Sequence, residues 1–256
     1  MAFIADRPRC LLDRADAVLE AFDAEHADLT LLGLVARTGL PKTTVHRTAK
    51  KMLELGWLEH HEGRYGIGTR LFERAMLTSG RFALRDAALP ILQEISASTH
   101  ETTNLAVLEG DEVLYLEKLV GRRPVASPSR VGGRMPALCT ALGKILTAFS
   151  APEVGEQLIE SGLAARTPNT LTSPSVQRRE LARVRGEGIG FDREETVTGV
   201  RCVAAPVLAT DGTCVAAVSI TASADRLVFA QMVPAVRYAA QQVSHAVTRH
   251  HAAAGS

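Results

Sequence analysis

No stretch of this 256-residue chain approaches the roughly 20 consecutive apolar residues needed to cross a bilayer, so no membrane span is expected. The first ten residues, MAFIADRPRC, lack the apolar centre of a signal peptide. Cysteine is sparse and scattered. Cys10, Cys139, Cys202 and Cys214 form no C-x-x-C pair and have no histidine at zinc-ligand spacing. They read as reduced, mostly buried thiols, and the expectation is a cytoplasmic chain without metal or other cofactor. Net charge is nearly absent too. Twenty-nine Lys and Arg against 28 Asp and Glu leave +1, so any basic surface that meets nucleic acid must be local.

What is present is ordinary globular material. Hydrophobic residues at 46% and charged residues at 22% can build real cores, and the length suits one large domain or two modest ones. In the first eighty residues the apolar spacing predicts a helix over Asp13 to Asp23, with Ala15, Val18, Leu19 and Phe22 on one face. A second helix starts at the cap residue Thr30, turns Leu31, Leu34 and Val35 inward, and ends at Gly39. Pro41 suits the first turn of a third helix, whose inner face is Val45, Ala49, Met52 and Leu53 and which Gly56 stops.

The outer face of that third helix carries Lys42, Thr43, Thr44, His46, Arg47, Lys50 and Lys51. Residues 1–80 hold 11 basic and 11 acidic residues, yet Arg37 to Lys51 contains five basic and no acidic ones. Concentrated positive charge on a groove-sized helix favours phosphate contact. Trp57-Leu58-Glu59 and Arg64-Tyr65-Gly66-Ile67 read as two short strands about a His60-His61-Glu62-Gly63 turn, the wing of a winged helix-turn-helix. In that arrangement Lys42, Thr43, Thr44 and Arg47 reach base edges, Arg47 as a two-bond donor to guanine, while Lys50 and Lys51 serve phosphates. Arg37, His46 and Arg64 complete the expected DNA-binding set. His60 and His61 are taken as wing surface rather than a metal pair.

Residues 69–83 continue helically and are expected to form a linker helix between a DNA-binding domain, 1–68, and a second domain, 84–250. In the second domain Leu84, Ala88, Ile91, Leu92 and Ile95 mark a buried helix face. Strands are predicted over Thr102 to Leu108 and Val113 to Lys118, joined at Glu109-Gly110-Asp111. A Ser-, Pro- and Gly-rich segment, SPSRVGGRMP, leads to a helix opening at Thr140-Ala141-Leu142-Gly143-Lys144. Another helix begins at Ser173-Pro174, and Cys202 to Leu208 and Cys214 to Thr221 form a hairpin about Asp211-Gly212. A long C-terminal helix buries Phe229, Met232, Val236, Ala240, Val243 and Val247. Consecutive strands with helices at the ends indicate an α+β fold on an antiparallel sheet.

Several ordered motifs together resemble the IclR family of bacterial transcriptional regulators. They are Leu34 to Arg47, with Gly63-Arg64-Tyr65 after it; Arg134-Met135-Pro136 leading to Thr140–Lys144; Gly190-Phe191-Asp192 with Glu194-Glu195; and Gly199 to Val207. The resemblance implies a winged helix-turn-helix, a linker helix and a GAF-like effector domain. It also implies homodimers or dimers of dimers on palindromic double-stranded operator DNA, and a small organic or aromatic acid as effector. By match to the family motifs the effector site is Ala141, Leu142, Asp192, Cys202, Ser219 and Thr221. The chemistry agrees. N–H groups at a helix start receive anions, and Ser219 and Thr221, two apart on a strand, share a face. Many relatives have His two residues before the motif's Thr; here Leu138 stands there, followed by Cys139, which predicts a more apolar entrance and an aromatic or larger acid.

Two other functions compete. A cysteine enzyme would use Cys139 or Cys202 with His100 or His245 as base, but no local signature joins them. A sensing module acting by protein contact would have no need of the basic run from Arg37 to Lys51.

Overall fold

The computed structural model describes residues 10–23, 25–77 and 79–254. The chain divides into two compact units, Met1–Ser79 and Gly80–Ser256.

The first unit runs α1 (Leu11–Glu20), β1 (Leu29–Thr30), α2 (Leu31–Thr38), α3 (Lys42–Glu54), β2 (Leu58–His61), β3 (Arg64–Ile67) and α4 (Thr69–Ala75). Local chemistry sets the helix ends. The Thr30 hydroxyl accepts from the Gly33 N–H at 3.1 Å, and Gly39 closes α2 with φ of +65°. Pro41 stands one residue before α3, at its cap. Val18, Leu34, Val45, Ala49 and Met52 are buried together with Leu58 and Tyr65 of the hairpin. This is hydrophobic burial of three amphipathic helices against a small sheet of order β1-β3-β2. The hairpin is tighter than the sequence suggested. His61 pairs with Arg64, so the turn is only Glu62-Gly63, both at positive φ, while His60 and His61 belong to β2.

Residues 69–83 are not one helix. α4 ends at Ala75, Met76 and Leu77 form a turn, and the next helix begins at Ser79. α4 buries none of its residues and exposes Phe72, so no tertiary packing extends so short a helix.

The second unit contains α5 (Ser79–Thr99), β4 (Thr102–Glu109), β5 (Glu112–Leu119), β6 (Arg134–Pro136), a 3₁₀ turn (Ala137–Cys139), α6 (Ala141–Phe149) and α7 (Pro152–Ser161). It continues with α8 (Pro174–Glu187), β7 (Gly190–Arg193), β8 (Val200–Leu208), β9 (Cys214–Ser223) and α9 (Phe229–Ala254). Six strands form one antiparallel sheet of order β6-β5-β4-β9-β8-β7. Its two faces differ as strand periodicity requires. On β9, Ala216, Val218 and Ile220 join Leu105, Val203 and Val207 in a core shared with α5 and α9. Ala217 faces the other way, toward α6. On that second face lie Ser219 and Thr221.

A β-bulge changes the face of part of β5. Leu105 pairs with Glu117 and Ala106 with Tyr115, leaving Leu116 extra. Tyr115 therefore lies with the α6 core while Glu117 reaches Arg85 of α5 at 2.7 Å.

Gly143 packs α6 directly on the 3₁₀ turn: a Cβ there would stand 2.1 Å from the Ala137 carbonyl oxygen. Gly186, within α8, has open space around it. Gly143→Ala is expected to lower stability by about 3 kcal/mol through backbone displacement, and Gly186→Ala to raise it by about 0.5–1 kcal/mol. Urea-unfolding midpoints check this; shifts of the same sign would contradict the close-packing role of Gly143.

Candidate effector cavity and nucleic-acid interface

Of the residues expected at DNA, Lys42, Thr43, His46, Arg47, Lys50 and Lys51 are exposed along α3, and Thr44 is half-buried beside them. Lys51 makes an exposed ion pair with Glu54 at 2.9 Å, too weak in water to withhold it from a phosphate. Arg64 is exposed on β3, 3.4 Å from the Asp28 carbonyl. Arg37 differs. Its guanidinium donates to the Ala21 carbonyl and the Asp23 carboxylate, both at 2.5 Å. The His26 hydrogen bond and the Arg37 charge hold the Asp23 carboxyl down at about 2. Arg37 thus ties α2 to the end of α1, and its donors are used inside the unit rather than presented with those of α3.

The six residues expected at the effector border one cavity in the second unit. The space between its atoms totals about 380 Å³, of which only about 20 Å³ admits the centre of a water molecule. Ala141 and Leu142 come from the start of α6, Asp192 from β7, Cys202 from β8, and Ser219 and Thr221 from β9. Register explains their meeting: Asp192 pairs with Cys202 and Cys202 with Thr221, a row across three strands. The Thr140 hydroxyl accepts from the Gly143 N–H at 3.0 Å. The Ala141 and Leu142 N–H groups remain the first-turn donors without an acceptor inside the helix.

The sequence reading missed several wall residues. Tyr115 lies behind the bulge, which no local pattern announces. Ser127 and Ser129 belong to the 120–133 loop, and Met135, Thr140, Thr196, Val197 and Val200 complete the boundary. Asn104, unremarked in the sequence, spans the hydroxyls: its Nδ2 donates to Ser219 Oγ at 3.1 Å and Thr221 Oγ1 at 3.2 Å. Thr221 in turn donates to Cys202 Sγ at 3.2 Å.

Leu138 corrects one expectation. It is buried with Ala137, Leu158 and Ile159, and neither it nor Cys139 borders the cavity. The residue in the histidine position therefore does not make the entrance apolar, and the preference for an aromatic acid drawn from it falls away.

Lys144 fixes the geometry. It is 1% exposed, yet its ammonium donates to the Phe191 carbonyl at 2.9 Å and Glu195 Oε1 at 2.5 Å. That joins α6 to β7 and the turn after it. Asp192, 2% exposed, accepts from the Glu195 N–H at 2.7 Å. Burial raises both carboxyls above the ordinary range; for Glu195 the Lys144 charge opposes the rise.

The three thiols of the second unit are unsuited to nucleophilic chemistry. Burial pushes Cys139 and Cys214 up to about 11 and raises Cys202 as well. Among the described residues no helix is long and apolar enough to cross a membrane.

A winged helix-turn-helix in one unit and an antiparallel sheet with a narrow cavity in the other describe a class of ligand-responsive transcriptional regulators. The IclR helix-turn-helix domain matches residues 11–62, and the bacterial transcriptional regulator IclR C-terminal domain matches residues 76–245. The chain belongs to the IclR family, which are transcription factors and not enzymes.

Among curated relatives, the HTH-type transcriptional regulator XynR of Escherichia coli (strain K12) is 33% identical over 219 residues, 84% of this chain and 87% of XynR. The probable transcriptional regulator SauR of Cupriavidus necator is 32% identical over 240 residues, 90% of this chain and 94% of SauR. Among solved structures, an IclR homolog from Microbacterium hydrocarbonoxydans complexed with 4-hydroxybenzoate superposes with a TM-score of 0.87 at 31% identity, covering 93% of this chain and 99% of that one.

The raised carboxyls have a pH consequence. With folded values above the unfolded one, the folded chain keeps protons that the unfolded chain releases. Stability contributed by these two groups therefore falls as pH rises from the ordinary carboxylate range through the raised values. Asp192→Asn removes one such group while keeping an acceptor for the Glu195 N–H. Its stability relative to the native chain is expected to improve as pH rises from about 4, in the ordinary carboxylate range, to about 8. Urea melts at both pH values measure this; an unchanged difference would show that Asp192 titrates alike in both states.

Proposed function

We propose that this chain binds operator DNA as a homodimer through α3 and the β2–β3 wing, and that an organic acid held in the cavity shifts that binding. The observation that carries the reading is the cavity: six residues from four separate elements border one narrow space lined by both polar and apolar groups. Its donors are the Ala141 and Leu142 N–H groups and the Ser and Thr hydroxyls, which suit carboxylate and hydroxyl oxygens. Tyr115, Met135, Val197 and Val200 supply apolar surface for a ring. The 4-hydroxybenzoate in the Microbacterium homolog is a ligand of that chemistry.

Size supplies a mechanism. Room for about one water centre is far below what an aromatic acid requires, so binding must part the walls. The α6 and β7 walls are held by the buried Lys144 contacts. The 120–133 loop, with Arg122, Arg123 and Arg130 exposed, is bonded to its unit near its two ends, at Gly121, Arg123, Gly132 and Gly133, and between them Ser127 and Ser129 accept from the Lys118 ammonium. An effector that needs the open wall selects the arrangement in which the wall is open. It alters operator affinity only as far as that arrangement differs in DNA binding.

At DNA, Arg47 projects from the base-reading half of α3 and Lys50 lies one turn further along. Arg47→Ala is expected to cost about 1–3 kcal/mol at one base position, and Lys50→Ala to weaken operator and unrelated DNA alike. Binding titrations on the upstream intergenic DNA and on scrambled duplex separate the two. Equal losses on both duplexes for both variants would remove Arg47 from base reading. Within the cavity, a Ser219→Ala and Thr221→Val pair is expected to weaken 4-hydroxybenzoate at least about ten-fold in calorimetry, the loss of two hydrogen bonds of roughly 1 kcal/mol each. Unchanged affinity would place the ligand elsewhere.

A further inference from the structure

The cavity poses a charge problem that its lining does not solve. Among the described residues its wall has one carboxyl, Asp192, and no cationic side chain. A bound acid would set a negative group beside that carboxyl in a narrow space, at a cost that backbone N–H dipoles offset only in part. Lys144 cannot supply the missing cation, because its ammonium is taken by Glu195 and the Phe191 carbonyl.

Lys118 can. It sits half-buried on β5, directly opposite Asn104, which is itself opposite Ser219 on β9. Opposite residues share a face, so this row lies on the cavity side of the sheet. The Lys118 ammonium meets no carboxylate within ion-pair distance among the described residues. Its acceptors are two backbone carbonyls of the 120–133 loop, Ser129 at 2.6 Å and Ser127 at 3.5 Å. The side chains of those two serines border the cavity. Burial pushes the Lys118 ammonium down from its ordinary range, the direction expected of a cation with no carboxylate beside it. Beside it, Asn104 Oδ1 is buried and has no hydrogen-bond partner. A cation without a carboxylate partner and an unsatisfied acceptor thus stand on the same row of the sheet as Ser219.

We propose that Lys118 is the counter-charge for the effector's acid group: its ammonium leaves the Ser127 and Ser129 carbonyls for the effector's carboxylate, and the middle of the 120–133 loop, between the bonds at Arg123 and Gly132, loses its tether in the same step. This rests on the reading of the cavity as the effector site. The surrounding charge fits an anion. The 120–133 loop itself carries three exposed basic residues, Arg122, Arg123 and Arg130, and no acidic one, a local excess of positive charge that favours acids. The bulge at Leu116 makes the arrangement possible, because without it Tyr115 and Lys118, three residues apart, would face opposite sides.

The test uses the full chain, Lys118→Met and Lys118→Arg, titrated with 4-hydroxybenzoate and with its uncharged amide, 4-hydroxybenzamide. Amide hydrogen exchange of residues 120–133 is followed with and without ligand. Lys118→Met is expected to bind the acid about thirty-fold more weakly while its affinity for the amide changes less than about two-fold, and Lys118→Arg to stay within a few-fold of the native chain. Without ligand, the loop should exchange faster in Lys118→Met than in the native chain, and the acid should speed it in the native chain. Native affinity for the acid in Lys118→Met, equal losses for acid and amide, or loop exchange that ignores the substitution would each overturn the role of Lys118. If the native chain binds neither compound while the ligand-free loop still loosens in Lys118→Met, the tether stands, but the effector reading and the counter-charge fall together.

Discussion

The ammonium of Lys144 holds α6, β7 and the turn after β7 in one arrangement, and the cavity is the space between them. An amine 1% exposed would cost several kcal/mol if left unpaired. Here it is met by Glu195 and by the Phe191 carbonyl, one residue before Asp192. Two close approaches depend on the same geometry: Gly143 on the 3₁₀ turn, and Gly190, where a Cβ would lie 2.5 Å from the Ala141 carbonyl oxygen. The pairing of Gly143 with Lys144 in sequence is therefore physical. The glycine lets the helix approach and the lysine fastens it.

With α6 fixed, the rest of the site follows from strand register. Asp192, Cys202 and Thr221 form one row, and Lys118, Asn104 and Ser219 form the next. The first row is crowded with raised acids, a carboxyl and a thiol pushed up by burial. The second carries the cation. A ligand lying across both meets acceptors at one end and positive charge at the other, which suits a molecule with a hydroxyl and a carboxylate. The α6 side is fixed by a buried ion pair, whereas Ser127 and Ser129 on the other side are held by the Lys118 ammonium.

Much of this was legible in the sequence because it rests on local chemistry. Thr30 and Gly39 bound α2, Val45, Ala49 and Met52 bury α3, and the alternation along β9 separates Ser219 and Thr221 from Val218 and Ile220. The six effector positions came from resemblance to family motifs rather than from periodicity. What could not be read depends on contacts distant in sequence. The bulge that re-aims β5 has no composition of its own. Arg37 looked like its basic neighbours until Asp23 and Ala21 proved to hold it. Leu138 was misplaced for a related reason. Its position next to the Thr140 motif suggested the cavity, but the 3₁₀ turn carries it into a separate apolar cluster. The linker was read through a break that only the lack of packing on α4 explains.

The most direct test of the central claim, that acid binding in this cavity governs operator binding, is a gel-shift titration on the chain's own upstream intergenic DNA. It would be run at two salt concentrations, with and without 4-hydroxybenzoate and a set of short aliphatic acids. The account predicts specific, salt-sensitive binding whose midpoint moves with one acid class and no longer moves in the Ser219→Ala, Thr221→Val chain. Specific binding that every acid leaves unchanged, or a response that survives those substitutions, would contradict it.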